Sequence, residues 1–268
     1  MSSELIYTSA PRGLKPNTSG FCTVAVTAGM SRPVMQSLEK FSAYEFHFGL
    51  SDPRAADNPA NFMHMPLTIG GRPMHLLSRI AFAGPDYSGR ANKIAHHFLL
   101  SAEELPTAGP AEAIRQLAAE GRFLPAWDGE PGELPPRPLP PAPVSPGPAA
   151  AWRTMTGDAG WAGMLVKAFR ENARVPAYLL FQPGADILPL FAESLALLPP
   201  ELRWEVGFST YYYANLLQSD GKLHWRAVVA GSAMARTDVV KYPDAVILDL
   251  TAPLGAVPDN PYVTAARA

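Results

Sequence analysis

Alternating apolar and polar positions in the first hundred residues predict a mainly antiparallel sheet. The expected strands cover residues 5–8, 21–27, 44–50, 63–69, 74–82 and 94–100. The pair Gly70-Gly71 suits the tight turn of a hairpin between two of them. Apolar residues at helical spacing predict a helix near Pro33, capped by Ser31, and a second that opens at Pro110 and ends at Gly121. This region therefore reads as an α+β domain.

Helical spacing returns after residue 150 and alternates with short apolar runs. Asp158 and Asp186 are each expected to cap a helix, and Tyr178–Phe181 is expected to be a buried strand between the two. Three further strands are expected over residues 205–212, 224–230 and 245–250. The last contains AVILDL, which is apolar enough to predict a central place in a sheet. The pattern indicates a compact α/β unit.

A proline-rich stretch separates these two regions. Ten of the 29 prolines fall between Pro125 and Pro148, where missing amide donors and fixed φ angles disfavour helices and central strands. We therefore expect an N-terminal α+β domain over 1–124, a proline-rich linker over 125–150, and a second α/β domain over 151–268. The stretch is expected to be a stiff spacer, and a ligand motif for an adaptor domain is the alternative.

Composition excludes some classes of partner and indicates none. The chain has 268 residues, 22 Lys plus Arg against 24 Asp plus Glu, and a formal net charge of −2. This balance gives no electrostatic reason to expect nucleic acid or an anionic membrane as a partner. The single cysteine, Cys22, agrees with a reducing compartment, and the N-terminus lacks the pattern of a signal peptide. We expect a cytoplasmic protein.

Four long strings carry a family resemblance: YTSAPRGL…GFCTVAVTAGM and GRANKIAHHFLLSAEEL in the first region, and LPPELRWEVGFSTYYY and WRAVVAGSAMA in the second. The first two resemble the type 2 N-terminal domain of bacterial GTPase-associated protein 1, and the others resemble the middle domain of that family. The resemblance implies a component of GTPase-centred signalling or conflict systems, with a GTPase-like protein and effector or adaptor proteins as partners. It supplies no catalytic residues and no cofactor, and it leads us to expect a short member or a fragment, without the family's usual C-terminal region.

Two loops combine cationic or amide side chains with glycines. Arg12 and Lys15 flank Gly13, while Arg90 and Asn92 follow Gly89. If the loops meet, these four residues would form a cleft for a phosphate, a carboxylate or an acidic partner segment. The alternative is that the arginines hold the turns in shape. A second candidate surface is the aromatic strand end that contains Tyr211 and Tyr213, for which buried packing is the alternative.

An enzyme is the rival hypothesis. Cys22 with His96 or His97 and an acid such as Asp86 would complete a hydrolase triad, although a mid-strand cysteine more often packs as a small apolar side chain. Adjacent histidines on a strand point to opposite faces, which disfavours a shared metal. No phosphate-binding glycine motif is present. The leading hypothesis is a non-catalytic scaffold or regulator, and an anion or small-ligand sensor is a further alternative.

Overall fold

A computed structural model describes residues 2–142, 148–213 and 222–268. Within these residues the strands are β1 (Ser3–Ala10), β2 (Gly20–Thr27), β3 (Asn61–Ile69), β4 (Arg72–Pro85), β5 (Ala91–Ser101), β6 (Gly132–Leu134), β7 (Ala177–Phe181), β8 (Phe208–Ser209), β9 (Trp225–Val229) and β10 (Ile247–Asp249). The helices are α1 (Arg32–Lys40), α2 (Pro110–Ala119), α3 (Ala150–Thr156), α4 (Trp161–Asn172), α5 (Leu188–Ala196), α6 (Pro200–Arg203), α7 (Ala233–Thr237) and α8 (Pro261–Arg267).

All ten strands belong to one sheet, in the order β10-β7-β9-β8-β3-β4-β5-β1-β2-β6. The run from β8 through β3, β4, β5 and β1 to β2 is antiparallel, whereas β8, β9, β7 and β10 pair in parallel. The predicted α+β class is therefore confirmed. The antiparallel strands β3, β4, β5, β1 and β2 come from the first region of the chain, and the strands that pair in parallel with one another, β8, β9, β7 and β10, come from the second.

The β3–β4 hairpin turns where the glycine pair predicted it. Gly70 and Gly71 have φ angles of 59° and 77°, which side chains rarely adopt, and they connect the strands with two residues. The helices at α1 and α2 also lie where the apolar spacing predicted them. Gly121, with a φ of 64°, follows the end of α2.

Two apolar clusters pack against the sheet. The large cluster contains adjacent strand residues, which point to opposite faces, so it occupies both faces of the sheet, and its buried residues come from both regions of the chain. The small cluster contains Cys22, Val24 and Ile94, and Leu124 and Trp127 pack against it. The proline-rich stretch therefore contributes a cover for the small cluster. Within it, β6 pairs in parallel with β2 at the edge of the sheet.

Several predicted elements are wrong or shorter than expected. Residues 44–50 form no strand, because side chains bond their backbone groups: Asn58 bonds both the N–H and the C=O of Phe48. The strand expected over 205–212 is limited to Phe208–Ser209. The apolar segment at 245–250 contributes β10, which lies at the sheet edge and not in its centre.

The two expected caps are also wrong. Helix α4 has Gly160 at its N-cap, and the Asp158 carboxylate instead accepts a hydrogen bond from Gly160 N and pairs with Arg267. Helix α5 begins at Leu188 with Ile187 at the cap position, so Asp186 precedes the helix. Ser31 occupies the N-cap position of α1, as predicted, but its side chain forms no capping bond. Local sequence thus located these helices and the cap of α1 but misassigned the caps of α4 and α5.

Candidate functional site

The two predicted loops lie side by side at one end of the sheet. The β1–β2 connection and the β4–β5 connection are neighbours because β1 pairs with β5. Ser9 Oγ donates to Asp86 Oδ2 at 2.8 Å, and the Ser9 backbone N–H donates to Asn92 Oδ1 at 3.1 Å. These bonds fix the β4–β5 turn against the end of β1.

The four predicted binding residues are engaged separately. Arg12 pairs with the exposed Glu130, and Lys15 Nζ lies 3.7 Å from Glu39 Oε1. Arg90 pairs with Asp86 at 3.1 Å. Asn92 is buried and accepts from Thr8 Oγ1 and Ser9 N. The arrangement does not join them in one cleft, and a binding role for the set stays a prediction.

The Asp86 carboxylate stabilises the β4–β5 turn. It accepts hydrogen bonds from the hydroxyl and the N–H of Ser88, from Arg90 N and from Ser9. These bonds, that from the Ser88 hydroxyl foremost, hold the pKa of Asp86 well below its usual range. None of the histidines that the structure describes bonds Asp86, so this carboxylate does not orient a catalytic base.

An exposed aromatic side chain with two nearby lysines forms the clearest surface feature at this end. Phe21 is 43% exposed, and its ring stacks on Tyr7 with 6.5 Å between centroids. Lys93 Nζ lies 5.1 Å from the centroid of the Phe21 ring, within cation–π range. Lys15 and Phe21 also border a recess of about 200 Å³. We call Tyr7, Lys15, Phe21 and Lys93 the Phe21 surface.

The electrostatics of this surface are sensitive to pH. Partial burial against two rings lowers the pKa of Lys93 to about 8, because burial penalises the ammonium form. Lys15 is partly compensated by Glu39, whose Oε1 also accepts from Thr23. The surface is thus cationic near neutral pH and adjoins one carboxylate. Sequence reasoning named Lys15 but missed Phe21 and Lys93, although strand alternation alone places Phe21 and Thr23 on one face.

The geometry required for the hydrolase hypothesis is not found among the described residues. Cys22 packs in the small apolar cluster, and its thiol bonds to Gly20 O at 3.2 Å. Burial, the largest influence, raises the pKa of Cys22. His96 bonds to Glu4 and Leu124 N, while both ring nitrogens of His97 meet serine hydroxyls, those of Ser42 and Ser78. Neither histidine is therefore oriented to take a proton from Cys22.

The tyrosine pair lies inside the protein. Tyr211 and Tyr213 are 5% and 2% exposed. Their hydroxyls donate to the carbonyls of Glu45 and Ala43, so these phenols join the two regions of the chain. Burial raises the pKa of both. Their role in binding another molecule stays a prediction, because their described contacts are internal.

Among the residues that the structure describes, no set of three or more His, Cys, Asp or Glu side chains, with or without His96 and His97, is arranged to hold a metal ion. Among the same residues, no helix has the length and apolarity required to span a bilayer.

Comparison with protein families gives two adjacent matches. Residues 1–140 match the model described as GTPase-associated protein 1, N-terminal domain type 2. Residues 149–252 match the model described as GTPase-associated protein 1, middle domain. No curated protein matched the chain. Residues 141–148, between the two matches, lie within the proline-rich stretch, and the matches together contain every described strand of the sheet.

Proposed function

This chain belongs to the GTPase-associated protein 1 family, and we propose that it is a non-catalytic scaffold or regulator that binds a bacterial GTPase in the cytoplasm. The family description supports a GTPase as the class of partner. We further propose that effector or adaptor proteins join the complex, as part of a signalling or conflict system. Neither nucleic acid nor a membrane is required by this proposal.

The observation that carries the proposal is the exposed Phe21 ring at the end of the sheet. Exposed aromatic side chains held in one orientation often dominate the energy of protein interfaces. Phe21 is held by stacking on Tyr7 and by Lys93 above its ring, so little rotational freedom would be lost on binding. The neighbouring recess of about 200 Å³ has room for one partner side chain.

Charge defines the face of the GTPase that this surface fits. Lys15 and Lys93 lie beside Phe21, and Arg12 and Arg90 lie on the adjoining loops. Because Glu39, Glu130 and Asp86 already partner three of these four cations, Lys93 contributes the least compensated charge. We therefore propose that the partner presents an apolar side chain beside one or two carboxylates.

A pull-down from the native bacterium tests the proposal. The full chain should recover a GTPase, and Phe21→Ala should weaken its binding by about tenfold or more, as expected for a central interface aromatic. Val240→Ala is the matched control, since Val240 is 71% exposed and lies outside the Phe21 surface. Arg12→Glu and Arg90→Glu extend the test to the two predicted loops.

Two outcomes would contradict the proposal. Recovery of a GTPase that binds the unchanged chain and Phe21→Ala with equal affinity would show that the Phe21 surface is not the docking site. Turnover of a substrate that is abolished by Cys22→Ser would replace the scaffold with the hydrolase hypothesis. Photo-crosslinking from a benzoyl-phenylalanine at position 21 gives an independent readout, because only a partner seated on this surface forms an adduct.

A further inference from the structure

A large cavity lies between the parts of the chain that match the two family models. Its volume is about 780 Å³, within the range of sites for small organic ligands. The end of α1 and the β3–β4 hairpin form one side, and the end of α4 with the segments around residues 205 and 224 forms the other. Phe41, Ile69, Met74 and Phe169 contribute apolar wall.

A chain of hydrogen bonds connects two histidines in the wall of this cavity. His64 Nδ1 lies 2.8 Å from Val206 O, and since a carbonyl only accepts, this nitrogen carries the proton. His64 Nε2 therefore accepts, and its neighbour at 3.2 Å, His75 Nδ1, is the donor. On the other side, Gly207 N–H donates to His224 Nδ1 at 2.9 Å.

One peptide group thus determines the proton positions on both sides. The Val206 carbonyl and the Gly207 N–H belong to the same peptide unit, which accepts from His64 and donates to His224. In neutral rings the remaining proton lies on His224 Nε2, and the remaining lone pair lies on His75 Nε2. Burial lowers the pKa of His64 to about 3 and that of His224 to about 4, so both rings are neutral at pH 7.

The free ends of this chain belong to residues that line the cavity. His75 and His224 both line it, whereas His64 lies behind them in the core. His224 is 8% exposed, and its Nε2–H has no hydrogen-bond partner among the described residues. The two lining histidines therefore have one donor and one acceptor without a hydrogen-bond partner among the described residues, and a bond at Nδ1 fixes the proton position of each ring.

Cationic side chains complete the cavity. Lys40 and Lys222 line it, are exposed, and form no ion pair with any residue that the structure describes. Glu205 is the one acidic residue in the lining. The excess of positive charge favours an anionic group near the opening, while the apolar wall and the two histidines favour a planar body with its own donor and acceptor.

We propose that this cavity binds a heteroaromatic anion of nucleotide size. One edge of the ring donates to His75 Nε2 and accepts from His224 Nε2–H, and the anionic group lies near Lys40 and Lys222. An edge with adjacent donor and acceptor is a property of nucleobases and related heterocycles. The cavity and the Phe21 surface lie toward opposite ends of the antiparallel strands, and helix α1 borders both, since Lys40 lines the cavity and Glu39 lines the recess beside Phe21.

Calorimetric titration of the full chain with AMP, GMP, CMP and UMP, their nucleosides and inorganic phosphate tests the site. At least one nucleotide should bind, its nucleoside about tenfold more weakly, and phosphate alone should not bind. The Lys40→Gln/Lys222→Gln variant should bind the nucleotide about tenfold more weakly than the unchanged chain does. Its affinity for the nucleoside should be unchanged. Lys167→Gln is the matched control, because Lys167 pairs with Glu171 and does not line the cavity.

His75→Phe and His224→Phe should lower the affinity for the nucleotide and for the nucleoside alike, since each substitution removes a contact to the heteroaromatic ring. If these substitutions in the cavity wall prevent folding, the variant of the two exposed lysines still decides the result. Absence of binding by all four nucleotides would overturn the proposal, as would equal affinities of the double lysine variant and Lys167→Gln. Phe21→Ala should retain nucleotide binding, which separates failure of this site from failure of GTPase docking.

Discussion

At the residue scale, buried histidines act in this protein as neutral hydrogen-bonding groups. His97 is fully buried, and its two ring nitrogens lie 2.8 Å from Ser42 Oγ and 2.6 Å from Ser78 Oγ. Burial lowers the pKa of His97 to about 3. A neutral ring between two hydroxyls satisfies every polar atom without a counter-ion, which a charged ring in this position would require.

Stability should therefore fall in mild acid. An unfolded histidine binds a proton near pH 6.5, whereas folded His64 and His97 do so only near pH 3, so the unfolded state binds more protons between these values. Each residue should lower the free energy of unfolding by roughly 2 kcal/mol between pH 7 and pH 5. Urea titrations at several pH values measure this, and His97→Gln should show a smaller pH dependence. An unchanged pH dependence in that variant would contradict the assignment.

A second buried ionisable group ties the proline-rich stretch to the sheet. Glu4 is fully buried and pairs with Arg137 and His96. Burial opposes ionisation of Glu4, but the bonds from His96 and Arg137 outweigh it and lower its pKa. Arg137→Ala should lower the free energy of unfolding by about 2 kcal/mol or more, because the carboxylate would stay buried without its strongest partner.

The matched comparison uses an exposed arginine. Arg115 forms a helical i,i+3 pair with Glu112, and Arg115→Ala should change stability by less than about 0.5 kcal/mol. The Glu4→Gln/Arg137→Ala variant should recover part of the loss, since no carboxylate remains unpaired. Chemical denaturation of the unchanged chain and these three variants measures the losses. Equal losses in Arg137→Ala and Arg115→Ala would show that the buried pair contributes no more than a surface pair.

At the element scale, the sequence predicted what local chemistry determines and missed what distant side chains impose. The Gly70-Gly71 turn and the helix from Pro110 depend on backbone angles that these residues favour themselves. Residues 44–50 have the alternation of a strand, yet Tyr211 and Tyr213 bond the carbonyls of Glu45 and Ala43. No pattern within residues 44–50 can indicate a hydrogen bond from a side chain that lies more than 160 positions away in the sequence.

The candidate sites also differ in how far local sequence could predict them. Sequence reasoning named the loops of Arg12 and Arg90, and the fold made those loops neighbours. The histidine chain around the cavity was not predictable, because it joins His64, His75 and His224 through a peptide unit at 206–207. Those positions have no characteristic spacing, and each histidine taken alone reads as an ordinary core residue.

Close packing of α4 on α8 gives a prediction for these two elements. Gly163 is the third residue of α4, and alanine has a higher helix propensity than glycine. A methyl group there would lie 2.5 Å from the carbonyl carbon of Tyr262 and from Val263 N, so the helices would have to separate. Gly163→Ala should therefore destabilise the protein by roughly 2 kcal/mol or more.

Lys167→Ala, one turn further along α4 and exposed at its tip, is the control and should change stability by less than about 0.5 kcal/mol. Limited proteolysis should detect faster release of α8 in Gly163→Ala. Helix α8 is also held by the pair between Arg267 and Asp158, so Gly163→Ala/Arg267→Ala should release it faster still. A stabilised Gly163→Ala variant would show that the two helices are not in this close contact.

At the scale of the whole molecule, the two family-matched parts share one sheet and one core. Strand β3 pairs with β8, and Asn61 Oδ1 accepts from Ser209 Oγ at 2.8 Å. Arg203 is buried and donates to three carbonyls, one of which is that of Thr107 in the first part. Burial lowers the pKa of this guanidinium, which has carbonyls as its hydrogen-bond acceptors. The division into domains at 124 and 150 stays a prediction, but these contacts favour cooperative folding across it.

The two parts should consequently depend on each other for folding. A fragment of residues 2–142 would expose the β3 edge, and a fragment of residues 148–268 would expose Phe208 and Trp204, which are buried in the full chain. We expect the full chain to unfold in one transition, each fragment alone to lack a cooperative transition, and mixing to restore it. A full chain cleaved at a protease site introduced within 143–147 should keep its native near-ultraviolet circular dichroism, because sheet pairing and the shared core hold the parts together. Cooperative unfolding of each isolated fragment would instead establish two autonomous domains whose joint sheet forms only after both have folded.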